Sequence, residues 1–170
     1  YLVSAFIIII VFSFLPLNTS IYVRFMILTI FTAIEGILIY FISQDEEDDI
    51  LEAAMLSTVI TFVGMTFLGF ILYNVGYDTS WMGIYLVAAL IGLIITRIVM
   101  MFRKPSNETK QYITYFAIML FSLYVVYDTN TVMMVRYKLN KDDYVSPALH
   151  FYLDFINLFI NYFKLEDMDI

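Results

Sequence analysis

The sequence predicts an all-α fold, a polytopic bundle of membrane-spanning helices that forms a single domain over residues 1–170. Hydrophobic residues make up 62% of the chain and charged residues only 15%, whereas an average soluble domain has about 25% charged residues. The mean hydropathy is +0.84. The apolar residues are gathered into runs close to the length of about 20 residues that a helix needs to cross a bilayer. Together these observations exclude a soluble domain.

Six apolar runs predict six spans. They lie at 1–17, 22–43, 51–74, 81–102, 111–135 and 147–163. Stretches such as AFIIIIVF and VAALIGLII do not alternate in polarity, although a transmembrane β-barrel would need alternating segments of about 10 residues. The polar connectors are short, so neighbouring helices should run antiparallel. The chain starts without Met inside the first run, and we expect a further helix upstream of residue 1.

The charge balance limits the classes of partner. The net charge of -7 arises mainly from residues 45–49 and from acidic residues near the carboxyl end of the chain. This acidic balance argues against nucleic acid and against anionic lipid as partners. The chain contains no cysteine, which rules out a disulfide framework and thiolate metal ligands.

Ionisable residues inside the apolar runs are the candidate functional residues, because each costs about 2.5 to 3.5 kcal/mol on membrane-insertion scales. They are Glu35, Arg97, Asp128, His150 and Asp154. Asp128 lies about eight residues before the connector, and Asp154 about seven residues after Pro147. At about 1.5 Å per residue, both lie about 10 to 12 Å from the same membrane face. Two antiparallel neighbours should therefore hold these carboxyl groups at one depth.

A polar stripe accompanies the second of these acids. His150, Asp154, Asn157 and Asn161 follow one another at intervals of four, three and four residues. This spacing puts them on one face of a helix. We expect that face to point inward, away from lipid.

Two neighbouring carboxylates in a medium of low dielectric cannot both ionise cheaply. Asp128 and Asp154 should therefore share a proton and titrate as a coupled unit nearer neutral pH. The ionised pair would attract cations, and Ca²⁺ prefers hard oxygen ligands of this kind. The alternative is structural: a buried Asp can simply bond a polar residue on the next helix and fix the packing.

The other ionisable residues have supporting interpretations. Glu35 either pairs with Arg24 or Arg97 or faces a cavity. Arg97 lies near a helix end and can extend its charged group to the interface. His150 either titrates near its usual pKa of about 6.5 or caps a hydrated rim.

Two late segments resemble a known family. SLYVVYDTNTV (residues 122–132) and ALHFYLDFINLFINYF (residues 148–163) are similar to the paired terminal motifs of the transmembrane Bax inhibitor motif family, the Bax inhibitor-1/LFG proteins. Two earlier stretches, FTAIEGILI (31–39) and LEAAMLSTVITFVGMTFLG (51–69), fit the family less sharply. The resemblance covers nearly the whole chain and is most specific in its last 50 or so residues.

The resemblance implies a fold of seven helices, with six around a central last one, so that six spans would lie in this chain. It also implies a pH-sensitive Ca²⁺ leak and, in eukaryotes, suppression of cell death through stored Ca²⁺. The family's two-aspartate sensor matches Asp128 and Asp154. A relative uses an Arg after the second helix as a latch on the closed sensor, but the matching stretch here, PLNTS, has no Arg, and Arg24 follows a few residues later.

The expected partners are the lipid bilayer, Ca²⁺ and protons, with other membrane proteins of a complex as further candidates and no cofactor besides Ca²⁺. We expect the endoplasmic reticulum or the Golgi as the compartment, with the mitochondrial inner membrane as the alternative.

Two other function classes remain. Intramembrane aspartyl proteases also carry two membrane aspartates, but their second aspartate belongs to a GxGD motif, whereas Asp154 follows FYL. We therefore predict that the chain is not an enzyme. The second alternative is a non-catalytic structural subunit of a larger membrane complex.

Overall fold

The protein is all-helical in the parts of the chain that its computed structural model describes, residues 19–44, 47–103, 105–134 and 144–168. These residues form five helices and no β-strand. The helices are α1 (Ile21–Ser43), α2 (Asp48–Asn74), α3 (Met82–Phe102), α4 (Asn107–Met133) and α5 (Val145–Met168). Each predicted run from the second to the sixth corresponds to one of them. The first predicted run, 1–17, lies outside the described residues.

Four of the described helices, α1 to α4, are long and apolar enough to cross a membrane. This suits an integral membrane protein. The predicted count of six spans is not confirmed, since α5, with 24 residues, is not among the helices that are apolar enough to span. Its polar stripe, which includes Asp154, Asn157 and Asn161, is the physical reason.

The bundle is organised around α4 and α5. α5 packs against α4, α2 and α1, and α4 also contacts α2 and α3. Because successive helices reverse direction, the ends of the bundle can be told apart. We call the end at which α4 finishes and α5 begins the upper end, and the end at which α3 and α5 finish the lower end.

Three clusters of buried apolar side chains hold α5 to its neighbours. The cluster shared with α3 and α4 contains Leu86, Leu93, Ala117, Leu120, Phe121, Val125 and Leu158. The contact with α1 is centred on Phe31, Leu149 and Leu153. The contact with α2 contains Ile50, Ala54, Phe159, Ile160 and Phe163. Large apolar side chains such as Ile84, which is 76% exposed, cover the outer surface, as expected of helices that face lipid tails.

The turn between α2 and α3 is closed by backbone hydrogen bonds. The Tyr77 N–H donates to the Leu72 carbonyl (2.9 Å), and the Gly76 N–H donates to the Tyr73 carbonyl (3.0 Å). This is the Schellman arrangement, which needs a left-handed residue after the helix. Gly76 supplies it with a φ of 75°, a conformation that only glycine adopts readily. The loop therefore leaves α2 in a fixed direction.

Gly69 allows α2 to approach α4 closely. A Cβ on Gly69 would lie 2.7 Å from the Thr129 Cβ and 2.8 Å from the Val126 carbonyl oxygen. Gly64, on the same helix, would meet nothing within 4 Å. The close contact is therefore specific to Gly69, and it holds the part of α4 that bears Asp128.

We predict that Gly69→Ala destabilises the protein, because the added methyl group must push α2 away from α4, at a cost of about 1 to 3 kcal/mol. The matched control is Gly64→Ala, which adds the same methyl group in open space and should gain up to about 1 kcal/mol of helix propensity. Unfolding of the full chain in detergent, followed by circular dichroism, measures both. A Gly69→Ala protein as stable as the Gly64→Ala protein would contradict this account of the contact.

Candidate functional site

The side chains of Asp128 and Asp154 meet at the contact between α4 and α5. Their carboxyl groups are close enough for the charge of one to act on the other. Asp128 is only 2% exposed and Asp154 only 5%. The two antiparallel helices thus hold the carboxyl groups at one depth, five residues before the end of α4 and nine residues after the start of α5.

A hydrogen bond between two carboxyl groups requires a proton, since two ionised carboxylates are both acceptors. Asp154 also has a second oxygen, Oδ2, that is buried and has no hydrogen-bond partner among the described residues. The pair can therefore hold a proton and still offer an acceptor to a further proton or a cation. The role of Asp128 and Asp154 as a sensor and ion path stays a prediction.

His150 connects the buried pair to a more exposed layer. Its Nδ1 atom lies 3.4 Å from Asp128 Oδ2, and its side chain is 41% exposed while that of Asp128 is 3% exposed. His150 precedes Asp154 by one helical turn, so Asp128 faces both residues from α4. His150 therefore lies between the buried pair and the more exposed upper end of the bundle.

Tyr124 belongs to the same cluster and was missed by the sequence interpretation. Its hydroxyl is buried with no hydrogen-bond partner in the described part of the chain, and it lies within electrostatic range of both carboxyl groups. Tyr124 precedes Asp128 by four residues and therefore lies on the same face of α4. That spacing was the signal available in the sequence.

The polar stripe of α5 continues below the pair. Asn157 and Asn161 are buried, and each donates its side-chain N–H to the backbone carbonyl four residues earlier, at 2.8 and 2.7 Å. Arg97 of α3 donates from Nη2 to Asn161 Oδ1 at 2.6 Å. The stripe therefore faces the interior and ends at a cationic side chain near the lower end.

Arg24 and Glu35 form the buried polar face of α1. The Arg24 Nη1 atom donates to Ser146 Oγ at 3.4 Å, which ties α1 to the first turn of α5 at the upper end. Glu35 is fully buried. Eleven residues of one helix, or about 16 Å, separate Arg24 from Glu35, and the interaction of Glu35 with Arg24, Arg97 or a cavity stays a prediction.

Asn130 fixes the α2–α3 turn to α4 two residues after Asp128, a role that the sequence interpretation missed. Its Oδ1 accepts hydrogen bonds from the Thr79 backbone N–H (3.3 Å) and hydroxyl (2.9 Å), and its Nδ2 donates to the Tyr77 carbonyl (3.0 Å). Asn130 and Thr79 are both fully buried. These bonds position the end of α4 that carries Asp128.

No group of three or more His, Asp or Glu residues within the described ranges is arranged to hold a metal ion. Ca²⁺ takes about six to eight oxygen ligands when it is held in place, more than the Asp128 and Asp154 carboxyl groups supply. Binding of Ca²⁺ by this pair stays a prediction.

Comparison with known proteins identifies the family. Residues 1–165 match the Bax1-I family, described as inhibitor of apoptosis-promoting Bax1. The chain belongs to this family. The match confirms the resemblance drawn from the terminal motifs and includes both aspartates.

Individual members of the Bax1-I family are similar to parts of the chain. The protein LIFEGUARD 1 of Arabidopsis thaliana is 32% identical over 112 residues, which are 66% of this chain and 46% of that protein. The Bax inhibitor 1 of Schizosaccharomyces pombe is 26% identical over 145 residues, 85% of this chain and 52% of that protein. The Golgi anti-apoptotic protein of vaccinia virus is 34% identical over 92 residues, 54% of this chain and 37% of that protein. The chain thus spans about half the length or less of these curated relatives.

We predict that Asn130→Ala destabilises the protein by about 1 to 3 kcal/mol, because it leaves buried polar groups of Thr79 and Tyr77 without partners. The matched control is Asn74→Ala, since Asn74 is exposed and donates to the Phe70 carbonyl of its own helix. That change should stay within about 0.5 kcal/mol. Thermal unfolding of both variants in detergent tests the difference, and equal losses of stability would show that Asn130 does not fix the turn.

Proposed function

We propose that this chain acts as a pH-sensitive cation leak of the Bax inhibitor type, with Ca²⁺ as the transported ion, and thereby restrains cell death. The observation that carries the proposal is the buried contact between the Asp128 and Asp154 carboxyl groups across α4 and α5. Intramembrane carboxyl groups that face a bundle interior mark ion and proton pathways in membrane proteins. The names of the relatives support the cellular role: one is a Bax inhibitor and another a Golgi anti-apoptotic protein.

The proton determines how the two helices interact. While a proton lies between Asp128 and Asp154, their hydrogen bond draws α4 and α5 together. When the proton leaves, two negative charges face each other in surroundings of low dielectric, where repulsion is much stronger than in water. Loss of the proton therefore destabilises the packed arrangement relative to one in which the helices are further apart and water reaches the carboxylates.

The same change favours a cation. The ionised pair presents carboxylate oxygens to the polar stripe that continues through Asn157 and Asn161, and divalent cations prefer such oxygens. A change in pH shifts the balance between the packed and the separated arrangement of the helices because these two arrangements differ in their affinity for protons. His150, which faces Asp128, and Tyr124, which lies near both acids, are the other titratable groups that act on the pair.

A Golgi or endoplasmic reticulum membrane is the proposed location. The name of the vaccinia relative points to the Golgi, and a Ca²⁺ leak requires a compartment that stores Ca²⁺. The names of the relatives include no catalytic activity, in keeping with a non-enzymatic role.

We predict that Ca²⁺ flux into liposomes containing the full chain rises between about pH 6 and pH 8, as the shared proton is lost. Asp154→Asn keeps a hydrogen-bonding amide but removes the second charge, so its flux at the upper pH should be lower by about tenfold, and the pH dependence should vanish. A tenfold change corresponds to about 1.4 kcal/mol. A Ca²⁺-sensitive dye inside the liposomes measures the flux.

The control for this experiment is Asp49→Asn, which removes an exposed carboxylate from the first turn of α2 and should leave both the flux and its pH profile unchanged. If Asp154→Asn gave the wild-type flux and the wild-type pH profile, the aspartate pair would not control a leak. A chain that carries no flux at any pH, yet copurifies with another membrane protein, would support the structural-subunit alternative.

A further inference from the structure

A second polar site lies at the lower end of the bundle, below the aspartate pair. It is a cavity of about 530 Å³ between the end of α3, the start of α4 and the end of α5. Ligand pockets in proteins usually enclose about 300 to 1,000 Å³. Asn161, at its wall, lies seven residues beyond Asp154 on α5, about 10 Å along the helix.

The charged side chains that line this cavity are mainly cationic. They are Arg97, Lys110 and Lys164, with Asp167 as the single acid among the lining residues. The described residues place no carboxylate within ion-pair distance of Arg97, whose charged group donates to the neutral Asn161 side chain. Lys110 likewise has the neutral Asn107 as its partner, at 3.4 Å. The cavity therefore holds an excess of positive charge that the described part of the protein does not neutralise.

An uncompensated cation in a membrane span is unfavourable, and such residues usually have a counter-ion or a functional ligand. The Arg97 Nε atom is buried with no hydrogen-bond partner in the described ranges. An anion in the cavity would neutralise Arg97 and Lys164 together. Arginine and lysine are also the side chains that proteins use most for phosphate.

The rest of the lining indicates which kind of anion fits. Its walls are largely aliphatic, formed by side chains that include Ile94, Ile98, Met101, Ile113 and Ile160. Met101 is 83% exposed and Ile98 is 42% exposed, on the apolar outer surface of the span α3 that lipid tails would cover. A cationic cavity with aliphatic walls, at the end of membrane spans, matches a phosphate group that is attached to acyl chains.

We propose that this cavity binds one anionic phospholipid, with its phosphate between Arg97 and Lys164 and an acyl chain along α3. The net charge of -7 argues against adsorption of the whole protein to an anionic surface. The acids in the first turns of α2 and α4, Asp48, Asp49 and Glu108, do not line the cavity. A preference for anionic lipid must therefore come from this local site and should saturate at one lipid per chain.

Native mass spectrometry of the full chain in detergent, titrated with phosphatidylglycerol, tests the proposal, with phosphatidylcholine and inorganic phosphate as separate titrations. We expect one phosphatidylglycerol to bind in preference to phosphatidylcholine. Arg97→Gln and Lys164→Gln should each weaken binding by about fivefold, the effect of about 1 kcal/mol per basic residue near a membrane. Asp167→Asn should strengthen it, because it removes the acid from the lining.

The matched control is Arg103→Gln, which removes an exposed charge from the same end of α3 without touching the cavity lining. Binding that falls equally in Arg103→Gln and Lys164→Gln would overturn the proposal in favour of general surface attraction. Saturable binding of inorganic phosphate with no added affinity for phosphatidylglycerol would overturn the lipid assignment in favour of a soluble anion. If Arg97→Gln does not fold, the other two variants still test the proposal, since Lys164 and Asp167 are exposed. Lipid affinity should fall in Lys164→Gln and rise in Asp167→Asn, and any other result would overturn the proposal.

Discussion

A hydrogen bond between the Asp128 and Asp154 carboxyl groups can form only while a proton lies between them, and the two residues meet where α4 packs against α5. Water cannot take over the solvation of these groups, because both residues are almost completely buried. A buried polar group without a partner is costly, and an unpaired buried charge is more costly still. In the proposed function, ionisation of the pair therefore acts on the contact between two central helices.

The surroundings of the pair make this coupling stronger. On α4, the bonds of Asn130 to the α2–α3 turn and the close contact of Thr129 with Gly69 hold the segment around Asp128 against α2. These contacts fix the backbone of this segment relative to α2. In the proposed mechanism, the repulsion of two like charges is therefore relieved at the contact with α5. On that helix, His150 faces Asp128 from one turn before Asp154.

The positions of the five described helices could be predicted from the sequence, because each corresponds to an apolar run close to the length of a membrane span. The exception is α5, which is not among the candidate spans because its sequence includes His150, Asp154, Asn157 and Asn161. α5 packs against three neighbouring helices, so its polar side chains face protein rather than lipid. The hydropathy of a segment alone does not show that it will be surrounded in this way. Counting residues from the shared connector to each aspartate, at the rise of about 1.5 Å per residue, was enough to place Asp128 beside Asp154. This works because the two helices are antiparallel neighbours.

The residues that sequence reasoning missed depend on contacts between distant parts of the chain. Asn130 bonds Thr79, 51 residues away, and nothing in the local pattern links an Asn near the end of one helix to the loop before another. Arg97 and Asn161 were both candidates in the sequence, but their contact, across 64 residues, was likewise not predicted. Tyr124 is different, since its four-residue spacing from Asp128 was visible. An intramembrane Tyr is so common in this aromatic chain that spacing alone did not distinguish it.

The two polar sites lie at opposite ends of one stripe on α5, and their charges have opposite signs. A cation that leaves the ionised aspartate pair and follows Asn157 and Asn161 toward the lower end meets Arg97 and then Lys164. Two positive charges on this route form a barrier to a divalent cation that grows with the product of the charges. An anion in the lower cavity would lower that barrier by neutralising them. A leak that follows this stripe therefore requires two conditions, a deprotonated pair above and neutralised cations below, and the second depends on what the surrounding membrane supplies.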